Sequence, residues 1–196
     1  MTPPGIDPAR TALLVMDYQN GVVDMLGEPD DLLSRAADAI ALARERGAHV
    51  GYVRVAFTDA DLEAIPPTSG MGQRIAASAQ AFHDDSPMTA IHERMAPHNS
   101  DIIVRKTRVG AFSTTDLDEQ LRGRGVDTVI LAGISTSGVV LSTVRDASDR
   151  DYRVLVLADA SADREPDVHA FLIERIFPRQ AEVLTTAQLE DLLSAA

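Results

Sequence analysis

Residues Thr11 to Asp17 read Thr-Ala-Leu-Leu-Val-Met-Asp, an apolar run that does not alternate and that ends on a carboxylate. A strand with one wet face alternates. A run without alternation needs both faces covered, as in a parallel sheet with helices on either side. The next strand is expected at His49–Val55, then Asp101–Arg105 leading into Lys106, Asp127–Ala132, Arg153–Leu157 and Ala181–Leu184. Helical spacing fills the intervals. Leu33, Ala36, Ala37, Ile40 and Ala43 mark a helix over Asp30–Gly47, with Asp30 as its cap and Gly47 as its stop. Further helices are expected over Thr115–Arg124 (capped by Thr114 or Thr115), Val139–Asp149, Pro166–Phe177 and Ala187–Ser194. About six strands alternating with helices predict one α/β domain over residues 1–196. Its architecture is three-layered and Rossmann-like, around a doubly wound, mainly parallel sheet. Residues 58–100 break the pattern, with two consecutive prolines, Gly70, Gly72 and Pro97. A short helix is expected at Gln73–Gln80 and loop elsewhere, in a segment long enough for a lid or an interface.

Composition narrows the chemistry. The chain has no cysteine, which removes disulfides, thiolate metal ligands and thiol nucleophiles together. The formal net charge of −12 opposes binding to nucleic acid or to anionic membrane surfaces. No apolar run is long enough to span a bilayer, and the first ten residues do not read as a signal peptide, so a cytoplasmic protein is expected. Of eighteen Lys plus Arg, the only lysine is Lys106. A compact ammonium and a planar guanidinium are not interchangeable in a tight site, so one retained lysine draws attention.

In a doubly wound sheet, ligands sit beyond the carboxyl ends of the strands. Asp17 ends the first expected strand, Lys106 ends the third, and Ser135-Thr136-Ser137-Gly138-Val139 joins the fourth to its helix. The first and fourth strands of such a sheet are commonly neighbours, so one crevice can hold all three features. Each alone has a plain reading: a turn residue, a solvated lysine, and a capped turn lacking the spacing of a phosphate-binding loop. The amides at that helix start still suit an oxyanion or carboxylate.

Taken together, VMDYQNGVVD, RKTRVGAFSTTDL, LAGISTSGVVLSTVRDA and FPRQAEVLTT resemble the isochorismatase-like hydrolase superfamily, which includes nicotinamidases and other cysteine amidohydrolases. The resemblance runs from about Thr11 to Thr186. It implies an Asp–Lys–Cys triad in which Asp17 and Lys106 match the first two members and Val139 stands in the cysteine's place. It also implies a cis peptide before Ser135 that turns the N–H groups of Ser135 and Val139 toward a ligand. Thr136, Ser137, Gly138, Gln19 and Phe112 join them as expected oxyanion or substrate-binding residues. A homo-oligomer is the expected assembly. No cofactor and no metal are expected: the family's zinc-binding stretch reads Val53-Arg54-Val55-Ala56-Phe57 here, and His49, His83, His92, His98 and His169 lack ligand spacing.

Valine cannot attack a carbonyl, so two readings follow. In the first, the chain is a cysteine-independent hydrolase of a small polar metabolite. It works as isochorismatases do, with Asp17 as general acid or base and Lys106 holding substrate or water. In the second, it is a non-catalytic small-ligand-binding protein that kept the fold and the pocket.

Overall fold

In the computed structural model, residues 5–27 and 29–194 are described. They form a six-stranded, wholly parallel sheet in the order β3-β2-β1-β4-β5-β6. The strands are β1 (Thr11–Met16), β2 (His49–Val55), β3 (Ile102–Lys106), β4 (Thr128–Ile134), β5 (Arg153–Ala162) and β6 (Glu182–Leu184). The helices are α1 (Asn20–Asp24), α2 (Asp30–Glu45), α3 (Asp59–Glu63), α4 (Gly70–Ala76), α5 (Ala79–Phe82), α6 (Leu117–Gly123), α7 (Leu141–Asp149), α8 (Pro166–Phe171) and α9 (Thr186–Ser194). The three-layer, doubly wound α/β expectation is met.

The run that defines β1 is buried along its whole length because it serves two cores at once. Leu13 and Val15 pack with α2 and α9 residues such as Ala39, Ile40 and Leu189. Ala12, Leu14 and Met16 pack on the other face with Leu117, Leu121, Val144 and Ala147 of α6 and α7. This two-sided burial is why the sequence does not alternate. Among the described residues, no helix is long and apolar enough to cross a membrane.

Several expected boundaries move, each for a local reason. Pro29, not Asp30, caps α2: the Leu33 N–H already bonds the Pro29 carbonyl, and Asp30 lies in the first turn, 3.0 Å from Arg94. Gly47 ends that helix region as expected, at φ +79°. α6 starts at Leu117, whose N–H meets Thr115 Oγ1 at 3.3 Å, while Thr114 Oγ1 accepts the Thr107 N–H and closes the loop after β3. β5 continues past Leu157 to Ala162, because a register shift near Leu131 and Gly133 lets Ser161 and Ala162 pair with the end of β4.

Residues 58–100 hold more helix than expected. Thr58 and Asp61 form a reciprocal capping box for α3, and the expected helix at Gln73–Gln80 is divided into α4 and α5. The segment is fastened to the sheet by Gln19. Its amide donates to Val55 O at 2.9 Å and Thr89 O at 2.8 Å, and its oxygen accepts the Val55 N–H at 2.8 Å. Arg54 pairs with Asp84, and Tyr52 donates to Met95 O at 2.6 Å. Gln19→Leu strands three buried backbone groups at once. It is expected to lower stability by about 3 kcal/mol, read by urea denaturation, and to speed proteolytic cleavage within 58–100.

Candidate active site

The backbone leaves β1 at Asp17, where φ is +58°, a region that Asp enters more readily than most residues. The Asp17 N–H is taken by Val53 O at 2.8 Å, which holds the residue over the carboxyl end of β2. Lys106 closes β3, in register with Val55. Two strand spacings, about 10 Å, separate β1 from β3, and the long lysine stem covers that gap across the end of β2. Lys106 Nζ lies 2.9 Å from Asp17 Oδ2, and both side chains are more than nine-tenths buried. The ammonium also donates to Arg108 O at 3.2 Å. Asp17 Oδ1 is buried without a hydrogen-bond partner.

Two influences oppose each other on Asp17. Burial disfavours its charged form and pushes its pKa above the ordinary carboxylate value. The Lys106 ammonium pulls the other way, by charge and by hydrogen bond. Burial is the larger.

β4 neighbours β1, with Gly133 opposite Met16, so the turn that follows β4 stands beside Asp17. A side chain at 133 would meet Val140 Cγ2 at 3.0 Å and the Met16 Cβ and carbonyl at 3.2 Å, so glycine lets the turn seat against β1. The Ile134–Ser135 peptide is cis. Instead of an α-helix from Val139, Thr136–Val140 form a wide π-type turn, in which Val140 N–H bonds Ser135 O at 3.3 Å, before α7 begins at Leu141. Such turns interrupt helices frequently at functional sites.

A cavity of about 400 Å³ opens over this region. It is lined by Asp17, Lys106, Ser135, Gly138 and Val139, so five of the expected site residues converge there. The rest of the lining is largely aliphatic or aromatic, including Val22, Leu26, Ile75 and Phe82. The structure gives the other expected residues different surroundings. Thr136 is fully buried, with Oγ1 2.8 Å from His169 Nδ1, and burial lowers the His169 pKa. Ser137 is exposed, and its N–H bonds Asp163 Oδ2 at 2.7 Å. The Gln19 amide is spent on Val55 and Thr89. Phe112 is buried away from the cavity, stacked on Tyr152 at 6.0 Å with Arg150 over its ring. Residues that sequence reasoning passed over also line the cavity, notably Arg74 of α4 and Arg164 after β5. Both are exposed, Arg74 on a short helix within the 58–100 connection and Arg164 in the connection after β5, so no core-facing periodicity marks them.

The isochorismatase domain model matches residues 11–188. The chain belongs to the isochorismatase family. It is 33% identical to the uncharacterized isochorismatase family protein YecD of Escherichia coli O157:H7, over 97% of this chain and 98% of that one. It is 34% identical to the ureidoacrylate amidohydrolase RutB of Methylobacterium radiotolerans, over 84% of this chain and 72% of that one. The crystal structure of a cysteine hydrolase from Pseudomonas syringae pv. phaseolicola superposes with a TM-score of 0.87, covering 100% of this chain and 99% of that one, at 28% identity. The family's named activities among these relatives are hydrolytic, which agrees with a hydrolase.

The Asp17–Lys106 pair carries its own test. Lys106→Met removes the one interaction that favours the ionised carboxylate, so the Asp17 pKa is expected to rise further. A ¹³C NMR titration of the Asp17 carboxyl reads that displacement directly.

Proposed function

We propose that this family member hydrolyses a small polar metabolite without a nucleophilic side chain, with Asp17 as the proton donor and acceptor. The observation that carries this reading is the Asp17 carboxyl itself. It is buried at the cavity, with one oxygen held by Lys106 and the other free of any protein partner. Val139 stands in the turn beside it and has no electron pair to offer a carbonyl.

Oδ2 accepts from the ammonium, so a proton on this carboxyl resides on Oδ1. Burial raises the pKa and keeps that proton available to a higher pH than an ordinary carboxylate would. A vinyl ether suits such a donor. Oδ1 delivers the proton to the enol carbon, and the C=C electron pair forms the new C–H bond. The adjacent carbon becomes an oxocarbenium ion, facing a carboxylate that is now charged and stabilises it. Water adds to that carbon, and Asp17 takes back a proton from the water. The resulting hemiketal then collapses to a carbonyl compound and an alcohol. The cycle returns Asp17 to its starting state and needs no thiol.

Lys106 keeps the carboxyl oriented and, with its remaining N–H, holds a substrate oxygen or the attacking water. At the turn, the N–H groups of Ser137, Gly138 and Val140 are engaged by Asp163 and Ser135. Those of Ser135 and Val139 remain as the donors assigned to substrate oxygen. A second reading, a binding protein that lost catalysis with its cysteine, is favoured by Val139 alone. Retention of a buried, desolvated acid beside the only lysine speaks against it, because burying two ionisable groups costs stability that mere binding does not require.

Asp17→Asn replaces the acid with a near-isostere that donates no proton in this way. Turnover across a panel of vinyl ethers, esters and amides is expected to fall by at least about a thousandfold, against the 10² to 10⁴ usual for a general acid or base. Thermal stability and ligand binding stay near wild type. Val139→Ala keeps turnover within about tenfold, since the valine side chain makes no bond in the reaction. If the wild type turns over nothing in the panel yet binds a ligand as well as Asp17→Asn does, the binding-protein reading replaces this one. The pH profile adds a sign. A required acid must be protonated, so kcat/KM falls as pH rises through the elevated Asp17 pKa.

A further inference from the structure

The charged groups lining the cavity are Asp17, Lys106, Arg74 and Arg164. Lys106 is engaged by Asp17 at 2.9 Å and by Arg108 O at 3.2 Å. That leaves two guanidinium groups on the walls of a mainly apolar cavity, in a chain whose net charge is −12. They arrive from separate elements, Arg74 on α4 and Arg164 in the connection between β5 and α8. Among the described arginines, only Arg74, Arg164, Arg175 and Arg179 make no side-chain ion pair or hydrogen bond, and two of these four line this one cavity. The acids beside Arg164 in sequence do not pair with it. Asp163 accepts the N–H groups of Ser137 and Glu165 through its two oxygens.

We propose that Arg74 and Arg164 form an anion-recognition pair, so that the substrate of the site described above is an organic anion with an apolar body. This rests on the hydrolase reading for the word substrate, though not for the binding itself. In an acidic protein, two unspent guanidinium groups at one opening create a local positive potential that draws anions in and orients them. Each presents a planar fork of donors suited to a carboxylate or a phosphate ester. The anionic end sits between them, and the apolar remainder lies along Val22, Ile75 and Phe82 toward Asp17. A further space of about 180 Å³ shares Val22, Met25, Val55 and Phe82 with the main cavity, which gives room for a longer apolar body. Met25 lines both spaces with an unbranched, adaptable side chain.

Isothermal titration with 3-phenylpropanoate, phenyl phosphate and neutral 3-phenylpropanamide tests the pair. At least one anion is expected to bind wild type about tenfold or more tightly than the amide, the scale of a hydrogen bond to a charged group. Arg74→Gln and Arg164→Gln each reduce that preference. The double variant is expected to bring it to within about twofold, on the same scale. Both positions are exposed, so folding is expected to be unaffected. The better of the two anions distinguishes a carboxylate from a phosphate ester. Equal binding of amide and anions by wild type overturns the proposal, as does binding of none of the three, or a double variant that keeps the preference. Asp17→Asn separates the two readings. If it keeps the anion preference while wild type shows no turnover, the hydrolase reading fails and the anion pair stands. If Lys106→Met loses the preference while the double arginine variant keeps it, the anion is held at the Asp17–Lys106 pair and the proposal fails.

Discussion

The contact between Lys106 and Asp17 spans the carboxyl end of β2, and the site is arranged around it. The two residues sit on strands that do not touch. Only a side chain with a long flexible stem can place a charge two strands away while leaving the intervening strand its hydrogen bonds. β2 ends at Val55, whose N–H is taken by Gln19, and the Val55 side chain lines the cavity beneath the pair. The pair is costly in isolation, because two charges have left water. It persists where the sheet, the α1 side and the turn after β4 are already fixed by the two apolar cores. The order of causes therefore runs from the cores to the pair, and from the pair to the chemistry.

The fold was legible because its strongest determinants are local. Uninterrupted apolar runs, helical spacing and terminal glycines such as Gly47 state their own secondary structure, and parallel packing follows from the lack of alternation. The stretch 58–100 was less legible, because its short helices draw stability from tertiary fastening. Thr58 and Asp61 do announce a capping box in the sequence. Nothing local announces that Gln19, more than fifty residues from Thr89 in sequence, will tie that residue down.

The site shows the same division. Asp17, Lys106 and the residues at 135, 138 and 139 are tied to strand ends, and strand ends converge by topology alone. Their meeting could be anticipated from the strand order. Gln19 and Phe112 lie close to those strand ends in sequence, yet their side chains turn elsewhere: one saturates backbone groups, and the other packs on Tyr152. Arg74 and Arg164 had no such anchor. What places them is the path of two connections over the sheet, and a connection's path leaves no period in the sequence.

Gly133 gives the turn after β4 a fixed seat. With no side chain between β1 and Val140, the backbone on which residues 135–139 ride is located by main-chain contact and not by what those residues carry. A socket defined in that way accepts different tools. The side chain at position 139 can change without moving Asp17, Lys106 or the turn. The architecture thereby separates where the cavity sits from what its wall at position 139 presents.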